Sequence, residues 1–182
     1  VPEGQPMVPV LFPDNGWGVN QSDPGPYPFP PGAGADRVKE QGNDTSCVKN
    51  TDCHILVVQR GSCMLWEAWQ CRWKTSSPGA GGSGSLAPAA WHCGSGAKFN
   101  LSRNSYLQRP VGWTSADAAG LPMTPGVIRF DEAEAGCINH ALRIVVGCTS
   151  SHFIKPATHG AKHPLCTQPD SAYPPLGLRF RL

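Results

Sequence analysis

Eight cysteines stand in 182 residues: Cys47, Cys53, Cys63, Cys71, Cys93, Cys137, Cys148 and Cys166. None makes the paired C-x2-C spacing of a structural zinc site, so an even set reads as disulfides and an oxidising compartment. Geometry limits the pairings. Cys63 and Cys71 flank a strand-like run, and eight steps of about 3.3 Å put them roughly 26 Å apart, beyond disulfide reach. The same reasoning separates Cys137 from Cys148 if residues 138–146 are extended. Cys71 and Cys93 flank a Gly/Ser loop, SPGAGGSGSLAP, and Cys148 and Cys166 bracket SSHFIKPATHGAKHPL; both pairs are expected bridges. Staples of this kind hold a body rich in turns, and the chain carries 21 Gly and 19 Pro with almost no helix-period apolar pattern. The fold class expected is all-β: a disulfide-stapled β-sandwich, Ig-like or jelly-roll-like, with long irregular loops and an extended N-terminal strand.

The densest ordered stretch is Gly112–Val146. Thr114 and Asp117 have capping-box spacing, Gly120 ends a turn in a left-handed conformation, and Pro122 and Pro125 forbid continuation. A one-turn helix is expected there, then a strand over 126–131 and a turn over 131–136. A second strand follows, with Ile138, His140, Leu142, Ile144 and Val146 on one face. The two strands are expected to pair antiparallel. Elsewhere, CHILVVQ (53–59) and CMLWEAWQC (63–71) read as a strand pair around an Arg60–Ser62 turn, with His54 opposite Glu67 or one place from it. Gly96–Leu101 and Leu176–Leu182 are further strands.

The N-terminus is divided differently. Residues 1–13 form a detached apolar strand, with Val8, Val10 and Phe12 on one face and Met7, Pro9 and Leu11 on the other. Residues 14–34, which include DPGPYPFPPG, are a stiff polyproline-type connector, and 35–182 are the sandwich domain. No signal peptide is visible, so a mature, processed form is expected. The triplets at Asn20, Asn43 and Asn100 are glycosylation acceptors. A net charge of +2 is too small to argue for nucleic acid, and no apolar run is long enough for a membrane span. No cofactor motif is present; the Gly-Gly-Ser-Gly loop lacks the Gly-Lys-Ser/Thr ending of a phosphate loop.

The pieces DPGPYPFPPG, HILVVQ, CMLWEAW, GSGAKFNL, GWTSADAAGLPMTPGVIRFDE, INHALRI, KPATH and PPLGLRFRL occur in an order and spacing that resemble a widespread group of secreted bacterial and algal proteins, over roughly Asp23–Leu182. The resemblance implies a β-sandwich and an extracellular setting, and no reaction. Relatives in that group continue past GLRFRL, and this chain adds cysteines around Cys47, Cys71 and Cys93. If the continuation completes a sheet, its loss leaves a groove uncovered, and a spare two-faced strand sits at the other end of the chain.

That combination leads to the first functional expectation, an extracellular pilus-like fibril. Residues Met7, Val8, Val10, Leu11 and Phe12 would insert into a neighbouring subunit, making the chain its own head-to-tail partner. The alternative is a secreted polysaccharide-active enzyme or glycan-binding module, with His54, Glu67, Asp117, His140 and His159 as candidate residues and glycans as partners. Asp131 and Glu132 are adjacent and point to opposite faces of a strand, so they cannot share a site. His140 with Arg143 suits proton abstraction, yet His140 on an apolar strand face also reads as a core histidine. Asp117 doubles as a turn cap. Glu67 on an apolar face is costly to bury unpaired, and His54 is its expected partner. His159, His163 and Cys166 have ligand-like spacing beside an expected bridge, and metal is not assigned. The tryptophans, Trp17, Trp66, Trp69, Trp73, Trp91 and Trp113, read first as core and second as a sugar-stacking surface.

Overall fold

The computed structural model describes residues 1–13, 20–31, 54–75, 77–78, 86–87, 89–103 and 109–180. Cys47, Cys53, Asn43, Trp17 and Leu182 lie outside the described residues. The fold is small and mostly β. Three strands, β2 (His54–Gln59), β3 (Met64–Trp69) and β8 (Ser95–Asn100), form an antiparallel sheet in the order β2-β3-β8. A second sheet joins β1 (Val10–Leu11), β7 (Ala90–His92) and β4 (Arg72–Lys74) in the order β1-β7-β4. Two short strands, β5 (Ser77–Pro78) and β6 (Leu86–Ala87), pair with each other.

Strand alternation decides what each face of β2-β3-β8 meets. On one face Ile55 pairs with Ala68 and Val57 with Trp66. These four residues join Val10, Tyr27, Phe29, Cys71, Trp91 and Cys93 in the main core. The aromatics interlock, with Tyr27 5.1 Å from Trp66 and 5.2 Å from Phe29 between ring centroids. Trp73 lies edge-on to Trp91 at 5.5 Å. The other face presents three rows across the strands: His54–Trp69–Ser95, Leu56–Glu67–Ala97 and Val58–Leu65–Phe99. The second of these faces is the one on which the loops of residues 109–124 lie.

The N-terminal segment is not detached, and the described part of the expected connector, residues 20–31, is not free. Val8 bridges Tyr27, Val10 and Leu11 pair parallel with Trp91 and His92, and Val10 is buried in the main core. Tyr27, Pro28 and Phe29 are fully buried. Two aromatics alternating about Pro28 override the stiffness of the proline run and make it a core element. A donor strand must be unpaired in the free subunit; here Val8, Val10 and Phe12 are seated in their own chain. Val10→Ala is expected to lower stability by about 2 kcal/mol through lost transfer energy and a residual cavity. Urea unfolding at low protein concentration measures it; an unchanged midpoint would mean the segment leaves its slot in solution.

Both expected bridges are present, Cys71–Cys93 and Cys148–Cys166. Cys63 and Cys137 depart from the expectation of full pairing: each is an exposed free thiol.

The second half departs further from the strand pattern. The expected strand 126–131 gives way to a helix, α1 (Phe130–Ala135), with Asp131 and Glu132 in its first turn and Gly136 closing it at φ +66°. Acidic residues at a helix start and glycine in a left-handed C-cap outweigh the β-branched pair Val127–Ile128. Residues 138–146 form no strand, and Ile138, Leu142, Ile144 and Val146 are exposed. Of the expected antiparallel pair only one backbone bond connects the two segments, Arg143 N to Gly126 O at 2.9 Å. Leu176 makes a single parallel bridge with Phe153, and residues 178–180 form no strand. Side chains hold this region together. Asp170 accepts hydrogen bonds from Lys162 Nζ and from the backbone and hydroxyl of Ser151, and these partners hold its carboxyl well below the usual range.

Candidate functional site

The first row of the second sheet face forms the floor of a cleft. His54, Trp69 and Ser95 are cross-strand neighbours. Above them lie Thr114, Ser115, Ala116 and Ala118 from one loop, with Arg143 and Ala161 from two others, enclosing about 220 Å³.

The roofing loop, residues 113–120, is fixed by short-range polar bonds in place of the expected one-turn helix. Asp117 Oδ1 accepts from Ala119 N at 2.8 Å, and Ser115 Oγ accepts from Asp117 N at 2.9 Å. Thr114 Oγ1 donates to Asp117 O at 3.3 Å. Gly120, at φ +73°, donates its N–H to Asp117 O, and an added Cβ there would collide with Thr158 Oγ1 and Trp113 O. The left-handed Gly120 is as expected, whereas Thr114 and Asp117 do not form the expected capping box, and a short 3-10 turn over Thr124–Gly126 follows in spite of Pro125. The loop is stitched to the body at several points. Ser95 Oγ donates to Ser115 O at 2.6 Å, Thr158 N to Ala119 O at 2.9 Å, and Thr158 Oγ1 to Trp113 O at 2.7 Å.

Three of the five candidate residues, His54, Asp117 and His159, meet at this loop. His54 Nε2 lies 3.1 Å from Ala116 O and His159 Nδ1 lies 2.8 Å from Ala118 O. A carbonyl only accepts, so each of those ring nitrogens carries the proton. Burial holds the His159 pKa below its ordinary value, against the opposing bond to Ala118. Asp117 sits between the two carbonyls and accepts from Arg143 Nε.

Glu67 is one row behind the cleft floor and fully buried. Its partner is not His54, which faces Trp69 while Glu67 faces Leu56. The turn, residues 60–63, is one residue wider than Arg60–Ser62, with Cys63 at φ +51°, and this leaves His54 two places from Glu67. Glu67 instead accepts from Met123 N at 2.9 and 3.0 Å, from Thr124 N at 3.0 Å and from Thr124 Oγ1 at 3.2 Å. Burial pushes its pKa up to about 7, helped by the negative charge of Asp117 and opposed by these donors.

His140 goes elsewhere. Its Nε2 is 3.1 Å from the Glu132 carboxylate and its Nδ1 2.9 Å from Ala141 O. With an oxygen at each ring nitrogen, the imidazolium is favoured: the bonds to Ala141 O and Glu132 raise its pKa. Glu132 also accepts from Arg129 N at 3.0 Å and pairs with the Arg129 guanidinium, completing a capping box at α1. His140 is thus a helix-anchoring residue rather than a core histidine, and it stands in no cleft with His54. The ligand-like spacing at the C-terminus holds no site either. Cys166 is bridged, His159 is turned to Ala118, and His163 accepts from Leu165 N. Among the described residues no three His, Cys, Asp or Glu are grouped for a metal.

Of the tryptophans, Trp66 and Trp91 are buried in the core, Trp73 packs against it, and Trp113 lies against Arg109, whose Cζ is 5.6 Å from its ring centroid. Trp69 alone of the described tryptophans lines the cleft.

Arg109, which the sequence did not single out, organises the same region. Arg109, buried, donates Nη1 to Asp23 at 2.6 Å, Nε to Thr114 O at 2.9 Å and Nη2 to Thr114 O and Gly96 O. Its guanidinium packs 5.3 Å from the Phe99 ring centroid. Asp23 in turn accepts from Lys98 N at 2.9 Å. The arginine stands in a polar loop before Pro110, so no periodicity marks it as interior.

No protein-family model, no curated protein and no solved structure matches the chain.

Proposed function

We propose that this chain is a secreted carbohydrate-binding module, a small β-sandwich whose cleft seats one sugar ring of an extracellular glycan. The observation that carries the reading is the lining of the cleft: one indole, Trp69, three alanines, and five polar side chains, of which His54 and Arg143 are the long ones beside three small hydroxyl residues. Sugar rings present an apolar face of C–H groups and a polar rim, and an aromatic face beside hydrogen-bonding groups suits both. The volume of about 220 Å³ is below the range of pockets for drug-sized ligands, which begins near 300 Å³, and suits a single pyranose. Two bridged cystine pairs are consistent with an extracellular setting.

Binding is favoured over hydrolysis by the state of the carboxylates. A glycosidase needs two carboxyl groups facing the scissile bond across about 5 to 9.5 Å. Glu67 spends its oxygens on Met123 and Thr124 behind the floor, and Asp117 spends its own on Ala119 and Arg143. Fibril assembly through residues 7–12 is not taken up, because Val10 belongs to this chain's own core.

The test is titration of the protein with a panel of soluble oligosaccharides, read by amide chemical shifts and calorimetry. Trp69→Ala is expected to weaken binding by about tenfold, the loss of one ring contact and its buried area. A panel that shifts no resonance of the cleft, or an affinity unchanged in Trp69→Ala, would retire the proposal.

A further inference from the structure

From the setting of Arg143 we infer that the cleft selects an acidic sugar, a uronic acid residue bound through its carboxylate. This rests on the binding reading above and deepens it. Arg143 comes from a segment outside the sheets and is placed by two constraints. Its backbone N–H donates to Gly126 O at 2.9 Å, and a Cβ on Gly126 would stand 2.9 Å from Arg143 Cβ, so the close approach needs glycine. Its Nε donates to Asp117 Oδ2, and Asp117 is itself locked by Ala119 N.

A guanidinium offers two edges on which a carboxylate can seat with two parallel hydrogen bonds. Asp117 occupies the Nε side. The Nη1–Nη2 end is the other edge, and Arg143 lines the cleft. Among the described residues, Asp117 is the one hydrogen-bond partner of this guanidinium. Asp117 therefore acts as a positioning residue: it fixes the plane of the fork before the ligand arrives, and that spares part of the ordering entropy of a long side chain. It also offsets the charge of the guanidinium, so recognition depends on the geometry of the fork more than on a positive field. A planar carboxylate at C5 of a pyranose stacked on Trp69 meets that geometry, whereas a neutral hydroxymethyl group in the same place does not.

The experiment uses the intact chain and needs no variant for its first arm. Trimers of galacturonate, glucuronate and mannuronate are titrated beside their methyl esters and the matching neutral hexose trimers. At least one acid trimer is expected to bind about tenfold or more tightly than its own ester, which keeps the ring and removes the charge. In a second arm Arg143→Lys, checked for folding by its amide spectrum, should lose most of the preference for acid over ester, because an ammonium cannot form the fork; a preference kept in full by this variant would overturn the inference. Equal binding of acid and ester by the unmodified protein overturns the inference and, if Trp69 still matters, leaves the sugar-binding module standing. Absence of binding to every acid, ester and neutral trimer removes both.

Discussion

Glu67→Ala is expected to remove about 4 kcal/mol of stability and to lower the melting temperature by roughly 10 °C, the larger effect of any side chain facing the loops. The substitution strands two backbone donors, Met123 N and Thr124 N, in a buried place and empties the space the side chain filled. Each stranded donor costs about 1–3 kcal/mol, more than the net value of the bond itself. The same residue makes a pH signature. Its carboxyl titrates near 7 in the folded chain, raised by burial from 4.5. Between those values the folded state holds a proton that the unfolded state has lost. The resulting stability is present in full below pH 4.5 and is lost as the pH rises through 7, with an upper bound of about 3 kcal/mol for a shift of this size. His140, raised, acts in the same sense, while His92 and His159, lowered by burial, act in the opposite one. The measurement is therefore a difference: urea midpoints at pH 5 and pH 8 for the parent and for Glu67→Gln. The parent should lose more between the two than the variant; equal slopes would show that Glu67 carries no proton near neutrality.

Arg109→Ala is expected to cost about 3 kcal/mol. Removing one member of a buried ion pair leaves the other uncompensated, and values of 3–5 kcal/mol are usual for fully buried pairs. The Asp23 side chain is 25 % exposed, so water recovers part of its solvation and the lower end applies. Three segments lose their common tie, since Arg109 joins Asp23, Gly96 and Thr114. Arg109→Lys should recover little, because one ammonium cannot reach three acceptors set around a planar fork. Full stability of the lysine variant would show that charge alone matters there. As Thr114 lies in the cleft wall, the alanine variant should also broaden the amide resonances of residues 113–120.

How much of this was legible from residues alone varies along the chain. HILVVQ and MLWEAW announce themselves as strands by continuous apolar character around a short polar turn, and they are β2 and β3. The cystines at 71–93 and 148–166 were legible because a bridge must close a loop, and each pair flanks one. The alternation over 138–146 misled for a physical reason. A period of two states which residues share a face, not that another strand exists to bury them, and Ile144 at 67 % exposed and Val145 at 75 % have none. FDEAEAG carried the opposite signal in its acidic start and terminal glycine, and helix won. The site was half legible. His54, Asp117 and His159 were named and do meet at one loop, and Glu67 was named and holds the segment that follows it, at Met123 and Thr124. Their partners are mostly backbone carbonyls and amides of residues far away in sequence, for which composition and spacing hold no code. Ser95, Ser115 and Ala118 are too small and common to stand out.

The parallel pairing of Val10 with Trp91 also sets a schedule. The strand nearest the beginning has no complete ladder until a partner halfway along the chain is in place, whereas β2 and β3 need only the turn between them. The hairpin can therefore form on a microsecond scale, while closure of the second sheet waits on a long, entropically costly search. Until that search ends, the apolar side chains of Val8, Val10 and Phe12 lack the cover they have in the finished core.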